Sequence, residues 1–111
     1  MKKKIAIDID GVICSSLSSD YTKSEPNNKA IKKINSLHAK GHEIIIFTAR
    51  FMGRTSNNIE KAYSLGYDFT KNQLLSWGLK FDKLIMGKPD FDILIDDKAF
   101  NYDEKWMDNI F

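Results

Sequence analysis

Two short isoleucine-rich runs, Lys4 to Ile9 and His42 to Phe47, constrain this chain more than anything else in it. Neither alternates cleanly between apolar and polar residues, as expected of strands covered on both faces in a parallel sheet. Between them, Ile31, Ile34 and Leu37 fall at helical spacing over Asn28 to Lys40. Asn27 or Asn28 is placed to cap the start of that helix, and Gly41 to stop it. Residues 4 to 47 therefore read as strand, helix, strand, with a connection long enough for a right-handed crossover. The expected fold class is α/β, a single domain over residues 1 to 111 with a mostly parallel sheet flanked by helices.

The remainder divides into shorter pieces. Residues 14 to 26 are polar, rich in serine and without a period, and read as a loop or small insertion, too short for a separate lid domain. Asn57 to Leu65 reads as a short helix closed by Gly66. Thr70 to Trp77 reads as another, with Thr70 and Gln73 spaced as a capping box and Gly78 as its stop. Phe81 to Met86 and Phe91 to Ile95 read as further short strands. The tail from Lys98 to Phe111 carries Phe100, Tyr102, Trp106 and Phe111, and is expected to pack back on the sheet as a short helix or turn.

Composition removes several classes of function. With 17 Lys and Arg against 15 Asp and Glu the formal charge is +2, and the lysines are scattered apart from Lys2, Lys3 and Lys4, so no nucleic-acid partner is expected. The apolar runs are only a few residues long, whereas a membrane span needs about 20, so no membrane association is expected either. Asp8 and Asp10 interrupt the apolar stretch after the N-terminal lysines, which speaks against a secretion signal. The single cysteine, Cys14, offers no internal disulfide, and the expected location is the cytoplasm.

The chemistry gathers where strands end. Asp8 and Asp10 close the first, Thr48 the second, and Asp96 with Asp97 the last. Ligands of open parallel sheets sit outside the carboxyl ends of the strands, so these groups are expected to converge on one rim. Asp8 and Asp10, two apart on an extended chain, leave the same face about 6 to 7 Å apart at the alpha carbons. Gly11 follows and permits a tight turn or a close backbone approach to a ligand. By itself the Asp-x-Asp-Gly run is equally a polar turn ending a strand. The second carboxylate pair favours a site, because four carboxylates repel one another without a cation, and an all-oxygen donor set suits magnesium better than zinc.

These segments carry a family resemblance. IAIDIDGVIC (5 to 14) resembles the first motif of the haloacid dehalogenase superfamily of phosphohydrolases, EIIIFTAR (43 to 50) its second, and DILIDDKA (92 to 99) its fourth, so that the resemblance spans about residues 4 to 100. The short spacings are similar to those of small members without a large cap domain, including bacterial phosphatases of capsule and surface-polysaccharide synthesis. The resemblance implies a Rossmann-like domain and a magnesium-dependent phosphomonoesterase working through an aspartyl-phosphate. It implies Asp8 as nucleophile and Asp10 as general acid and base. Magnesium would be held by Asp8, the Asp10 carbonyl and Asp96, with Asp97 in support; Thr48 would bind a phosphoryl oxygen. A lysine would neutralise the phosphate. Lys88 matches it, with Lys98 as the alternative, because only eight positions separate Lys88 from Asp96 and a parallel crossover ordinarily needs a dozen or more.

Arg50 and Arg54, after Thr48, either bind a second anionic group of the substrate or are solvated loop residues. The expected partner is a small phosphorylated molecule, a sugar phosphate or a polysaccharide precursor, with a nucleotide as the alternative. A second subunit is expected to close the capless site, for which Phe51 or Phe111 would serve. A reading of another class is a phospho-acceptor signalling module, which also combines an acidic cluster, magnesium and a Thr/Lys pair.

Overall fold

The computed structural model describes residues 2 to 18 and 20 to 111; Met1, and Ser19 inside the expected 14 to 26 loop, lie outside them. The elements run β1 (Lys4–Ile7), β2 (Cys14–Ser15), β3 (Glu25–Pro26), α1 (Asn28–Ala39), β4 (Glu43–Phe47), α2 (Ile59–Ser76), β5 (Lys83–Ile85) and α3 (Trp106–Asn109), with single 3-10 turns at Tyr21–Lys23 and Gly53–Thr55. β1, β4 and β5 form a wholly parallel sheet in the order β1-β4-β5, with Lys4 level with Glu43 and Ile45 level with Lys83. The 14 to 26 segment is a small flap, because β2 and β3 pair antiparallel within it. The fold is the expected small Rossmann-like α/β domain, without a large cap.

Local chemistry explains the first crossover. The Asn27 side chain accepts from the Ala30 N–H and opens α1, and Gly41, at φ +95, reverses the chain after it. That left-handed backbone is one a side chain resists. Ala30, Ile31, Ile34 and Leu37 bury the apolar stripe of α1 in a single core with Ile7, Ile44, Ile46, Leu84, Ala62 and Leu74.

The two faces of the sheet are unequal. Ile7, Ile44, Ile46 and Leu84 on one face are buried. On the other, Lys4, Ala6, Glu43, Ile45, Phe47, Lys83 and Ile85 are exposed or half-buried, and none is buried. Parallel sheets are ordinarily covered on both faces.

Two expectations are corrected. The segments 57 to 65 and 70 to 77 are not two helices but one, α2, capped by Asn58 through the Lys61 N–H. Gly66 does not stop it; it is buried inside it, where a Cβ would run into the Phe51 ring. Thr70, expected as a cap, is likewise buried in mid-helix. Second, Phe91–Ile95 is not a strand: it has no ladder partner, and every residue from Pro89 to Lys105 is exposed. The tail docks again only at Trp106, Met107 and Ile110, which are buried. Among the described residues, no helix is long and apolar enough to cross a membrane.

Candidate functional site

The chain leaves β1 into a tight turn. The Ile9 carbonyl accepts from the N–H groups of Val12 (3.1 Å) and Ile13 (2.8 Å), and the Gly11 N–H donates to the Cys14 carbonyl (2.8 Å). Gly11, at φ +87, supplies the left-handed residue that this turn requires. Its carbonyl accepts from the Tyr102 hydroxyl at 2.7 Å. The turn leaves Asp8 and Asp10 on the carboxyl rim of the sheet, in two very different environments.

Asp8 meets a lysine. Lys88 Nζ lies 3.5 Å from its Oδ2, and the Ile9 N–H donates to its Oδ1 at 2.8 Å. The Lys88 backbone is fixed in turn by its own N–H, which donates to the Thr48 carbonyl at 3.2 Å. Burial raises the Asp8 carboxyl above its ordinary range, and the neighbouring Asp10 adds to this; Lys88 and the Ile9 N–H offset only part of it. Lys88, and not Lys98, is therefore the lysine at Asp8; Lys98 is exposed.

Asp10 meets an arginine. Arg50 grips it in a two-point fork, Nε to Oδ2 and Nη2 to Oδ1, both at 2.9 Å. Ser16 Oγ donates to Oδ1 at 2.6 Å. Burial alone would raise the Asp10 carboxyl, but the hydrogen bonds from Arg50 and Ser16, with the charge of Arg50, outweigh it and hold the group below its usual range.

Arg50, read from the sequence as either a rim residue for a second anionic group or a solvated loop residue, is instead buried. Its remaining contacts keep it there: Nη1 donates to Gln73 Oε1 at 2.6 Å, and the guanidinium lies 4.4 Å from the centre of the Tyr21 ring. A cation is stable in such a place only because every face of it is answered. Thr48 is also buried; its hydroxyl oxygen accepts from the Arg50 N–H at 3.0 Å. In this conformation Thr48 sets the backbone from which both Arg50 and Lys88 are held.

A cavity of about 270 Å³ opens over these groups, lined by Asp8, Asp10, Tyr21, Arg54 and Asp90 among others. Arg54 stands on its wall, 4.5 Å above the Phe51 ring and 5.2 Å from that of Tyr21. A larger groove of about 600 Å³ runs beside β5 and α2, lined by His38, Tyr67, Phe81 and Asp82 among others, but no carboxylate pair lines it. The smaller cavity is the one that Asp8 and Asp10 line together.

Asp96 and Asp97 do not reach it. Both are exposed, and Asp96 Oδ1 accepts from the Lys98 N–H at 2.8 Å. Among the described residues, no three of His, Cys, Asp and Glu gather as a metal site. The hard-oxygen set that magnesium prefers is thus incomplete in one chain, because Asp96, the carboxylate expected beside Asp8 and the Asp10 carbonyl, is exposed and elsewhere. Phe51, expected as an exposed contact, is buried, whereas Phe111 is exposed.

Ser16, Tyr21 and Asp90 were not singled out by the sequence, and Gln73 was read only as the partner of Thr70 in a helix cap. Ser16 and Tyr21 lie in the flap, which composition marks only as polar, and Gln73, inside α2 rather than at a cap, turns to Arg50 instead. Asp90 follows Lys88 by two residues, which was the available signal.

No protein-family model matches the chain, and no curated protein matches it. Among solved structures, the crystal structure of a target protein from Vibrio cholerae is similar, with a TM-score of 0.82 and 26% sequence identity over 98% of this chain and 95% of that one.

Proposed function

We propose that the protein is a phosphomonoesterase of the haloacid dehalogenase type, acting on a small phosphorylated metabolite through an aspartyl-phosphate on Asp8. The observation that carries this reading is the pair of unlike carboxylates on one rim: Asp8, partly open and faced by Lys88, beside Asp10, held by Arg50 and Ser16. An Asp8 oxygen forms the bond to phosphorus as the bond to the leaving oxygen breaks, the leaving oxygen draws from solvent a proton that Asp10 returns to solvent after the second step, and Lys88 offsets the charge gathered between nucleophile and phosphoryl group. Water then attacks the acyl phosphate, giving its proton to Asp10 and restoring Asp8. Held in its ionised form, Asp10 suits this base step better than the donation of a proton to the leaving group. The cavity, about 270 Å³ and walled by Arg54 and Tyr21, suits a sugar phosphate or a precursor of similar size. Magnesium is the expected cofactor, and a single chain does not assemble its ligands.

One observation favours the phospho-acceptor reading. An Asp10 committed to Arg50 slows both acid and base steps and would lengthen the life of a phospho-aspartate.

The test is phosphate release from sugar phosphates, nucleotides and an aryl phosphate, with magnesium or chelator, for the wild type and Asp8→Ala. Many turnovers per chain, lost in Asp8→Ala and in chelator, are expected. A single phosphate bound per chain, without turnover, would instead mark the phospho-acceptor; full activity in Asp8→Ala would remove the mechanism.

A further inference from the structure

We infer that the segment Phe91 to Asp97 is a strand supplied in trans: it adds to the free edge of β1 in a second copy of this chain and brings Asp96 and Asp97 to that copy's Asp8 and Asp10. The inference deepens the proposed function and rests on it only for the chemistry of the completed site.

Three features of one chain each lack a counterpart. β1 is an outer strand, with β4 on one side and, among the described residues, no strand on the other. The second face of the sheet, with Ala6, Ile45, Phe47 and Ile85, has no buried residue. Finally, Phe91, Ile93, Leu94 and Ile95 stand in solvent on an arm, Ile93 at 80% and Ile95 at 94% exposure. Large apolar side chains on both sides of an extended run suit a strand covered on both faces, not a solvated loop. An unpaired edge and an unpaired apolar strand on the same molecule are complementary.

They cannot meet within one chain. For Asp96 to stand level with Asp8 in a parallel strand, Phe91 must begin about 16 Å below the rim, at roughly 3.3 Å per residue. It must also lie beyond β1, three strand spacings or about 14 Å from β5. Yet Asp90 is held on the rim, where it lines the cavity and its N–H donates to Asn57 Oδ1 at 3.1 Å. Phe91 is one peptide unit from Asp90, about 3.8 Å. Parallel crossovers ordinarily take a dozen residues or more. A second copy removes the conflict, because the start of its β1 can lie beside the first copy's rim. Exchange in both directions gives a closed twofold dimer.

The register follows from Asp96 standing level with Asp8. Leu94 is then level with Ala6 on the open face of the sheet, while Ile93 and Ile95 extend the buried face beyond Ile5 and Ile7. Each site takes Asp8, Asp10 and Lys88 from one copy and Asp96 and Asp97 from the other, which supplies the carboxylate that a single chain lacks.

The closing experiment joins Ala6→Cys and Leu94→Cys in one chain, oxidised mildly and run without reductant, with the solution mass of the wild type measured by light scattering. Both positions are exposed in the single chain, so the variant keeps its fold. A wild-type dimer, and a disulfide that doubles the mass of the variant, are expected. A monomeric wild type, or an oxidised variant that stays at monomer mass, overturns the inference. Mixing Asp8→Asn with Asp96→Asn chains adds a catalytic readout: heterodimers form half the population with one intact site of two, restoring roughly a quarter of wild-type turnover from two inactive proteins. If the wild type turns over no phosphate ester while the disulfide joins two chains, the catalytic reading fails and the exchanged strand stands. If the wild type is active and monomeric, the reverse holds.

Discussion

At the scale of single residues, the two rim carboxylates pull stability in opposite directions. Asp8 has a raised folded value against an ordinary 3.8, so its ionised form is a cost of folding. Below pH 3.8 both folded and unfolded chains carry the proton and the cost is absent; it grows as the pH rises through the unfolded value and is complete above the folded one. Asp8→Asn is therefore expected to raise the melting temperature at pH 7, with the gain fading as the pH falls through the raised folded value towards 3.8 and absent below it. Asp10 has a lowered value, so its stabilisation is present above 3.8 and is lost as the pH falls through the folded value. Asp10→Asn strands the buried Arg50 charge and is expected to cost about 3 kcal/mol at neutral pH. Denaturant melts of the two variants at pH 7 check the pair of signs; a loss in both would show that Asp8 is paired well enough to stabilise.

Among the elements, the first crossover was fully legible, because Asn27, the stripe Ile31, Ile34 and Leu37, and Gly41 are each local signals that agree with the tertiary result. α2 was not. Gly66 has the look of a stop, and what makes it glycine is Phe51, distant in sequence and itself in the left-handed region at φ +67. A residue chosen for a close approach and one chosen to end a helix are the same letter. Gly66→Ala tests this: propensity alone favours alanine by about 1 kcal/mol, whereas overpacking against the ring costs about 1 to 3 kcal/mol. A net loss of stability is expected in urea melts, and Phe51→Ala in the same chain should recover part of it. A gain in Gly66→Ala alone would mean that the ring moves aside freely. The candidate site was legible at Asp8, Asp10, Gly11 and Lys88, which sit in motifs. Arg50 was legible only as a charge, since its burial depends on Tyr21, which has no local signature, and on Gln73, whose spacing from Thr70 suggests a helix cap instead.

For the molecule as a whole, the sequence leads to the expectation of a strand over Phe91 to Ile95, whereas the single chain leaves that segment exposed and unpaired; an apolar pattern carries no information about whether its partner is the same chain or another. Ile93→Asp with Ile95→Asp places charges on the arm at positions already exposed in one chain. The double variant is expected to keep its far-UV circular dichroism while its mass in solution falls to that of a monomer. A variant that remains dimeric would place the contact elsewhere.

The Arg50 cluster also has a consequence for how the chain folds. Its bonds to Asp10 span 40 residues, that to Gln73 spans 23, and the Gln73 amide reaches the Tyr21 carbonyl across 52. Loops of this length close late, after their entropy has been offset by helices and strands that form locally. A nascent or partly unfolded chain therefore carries Asp8 and Asp10 in its sequence but not the geometry between them, so that the same closures that complete the tertiary structure also assemble the site.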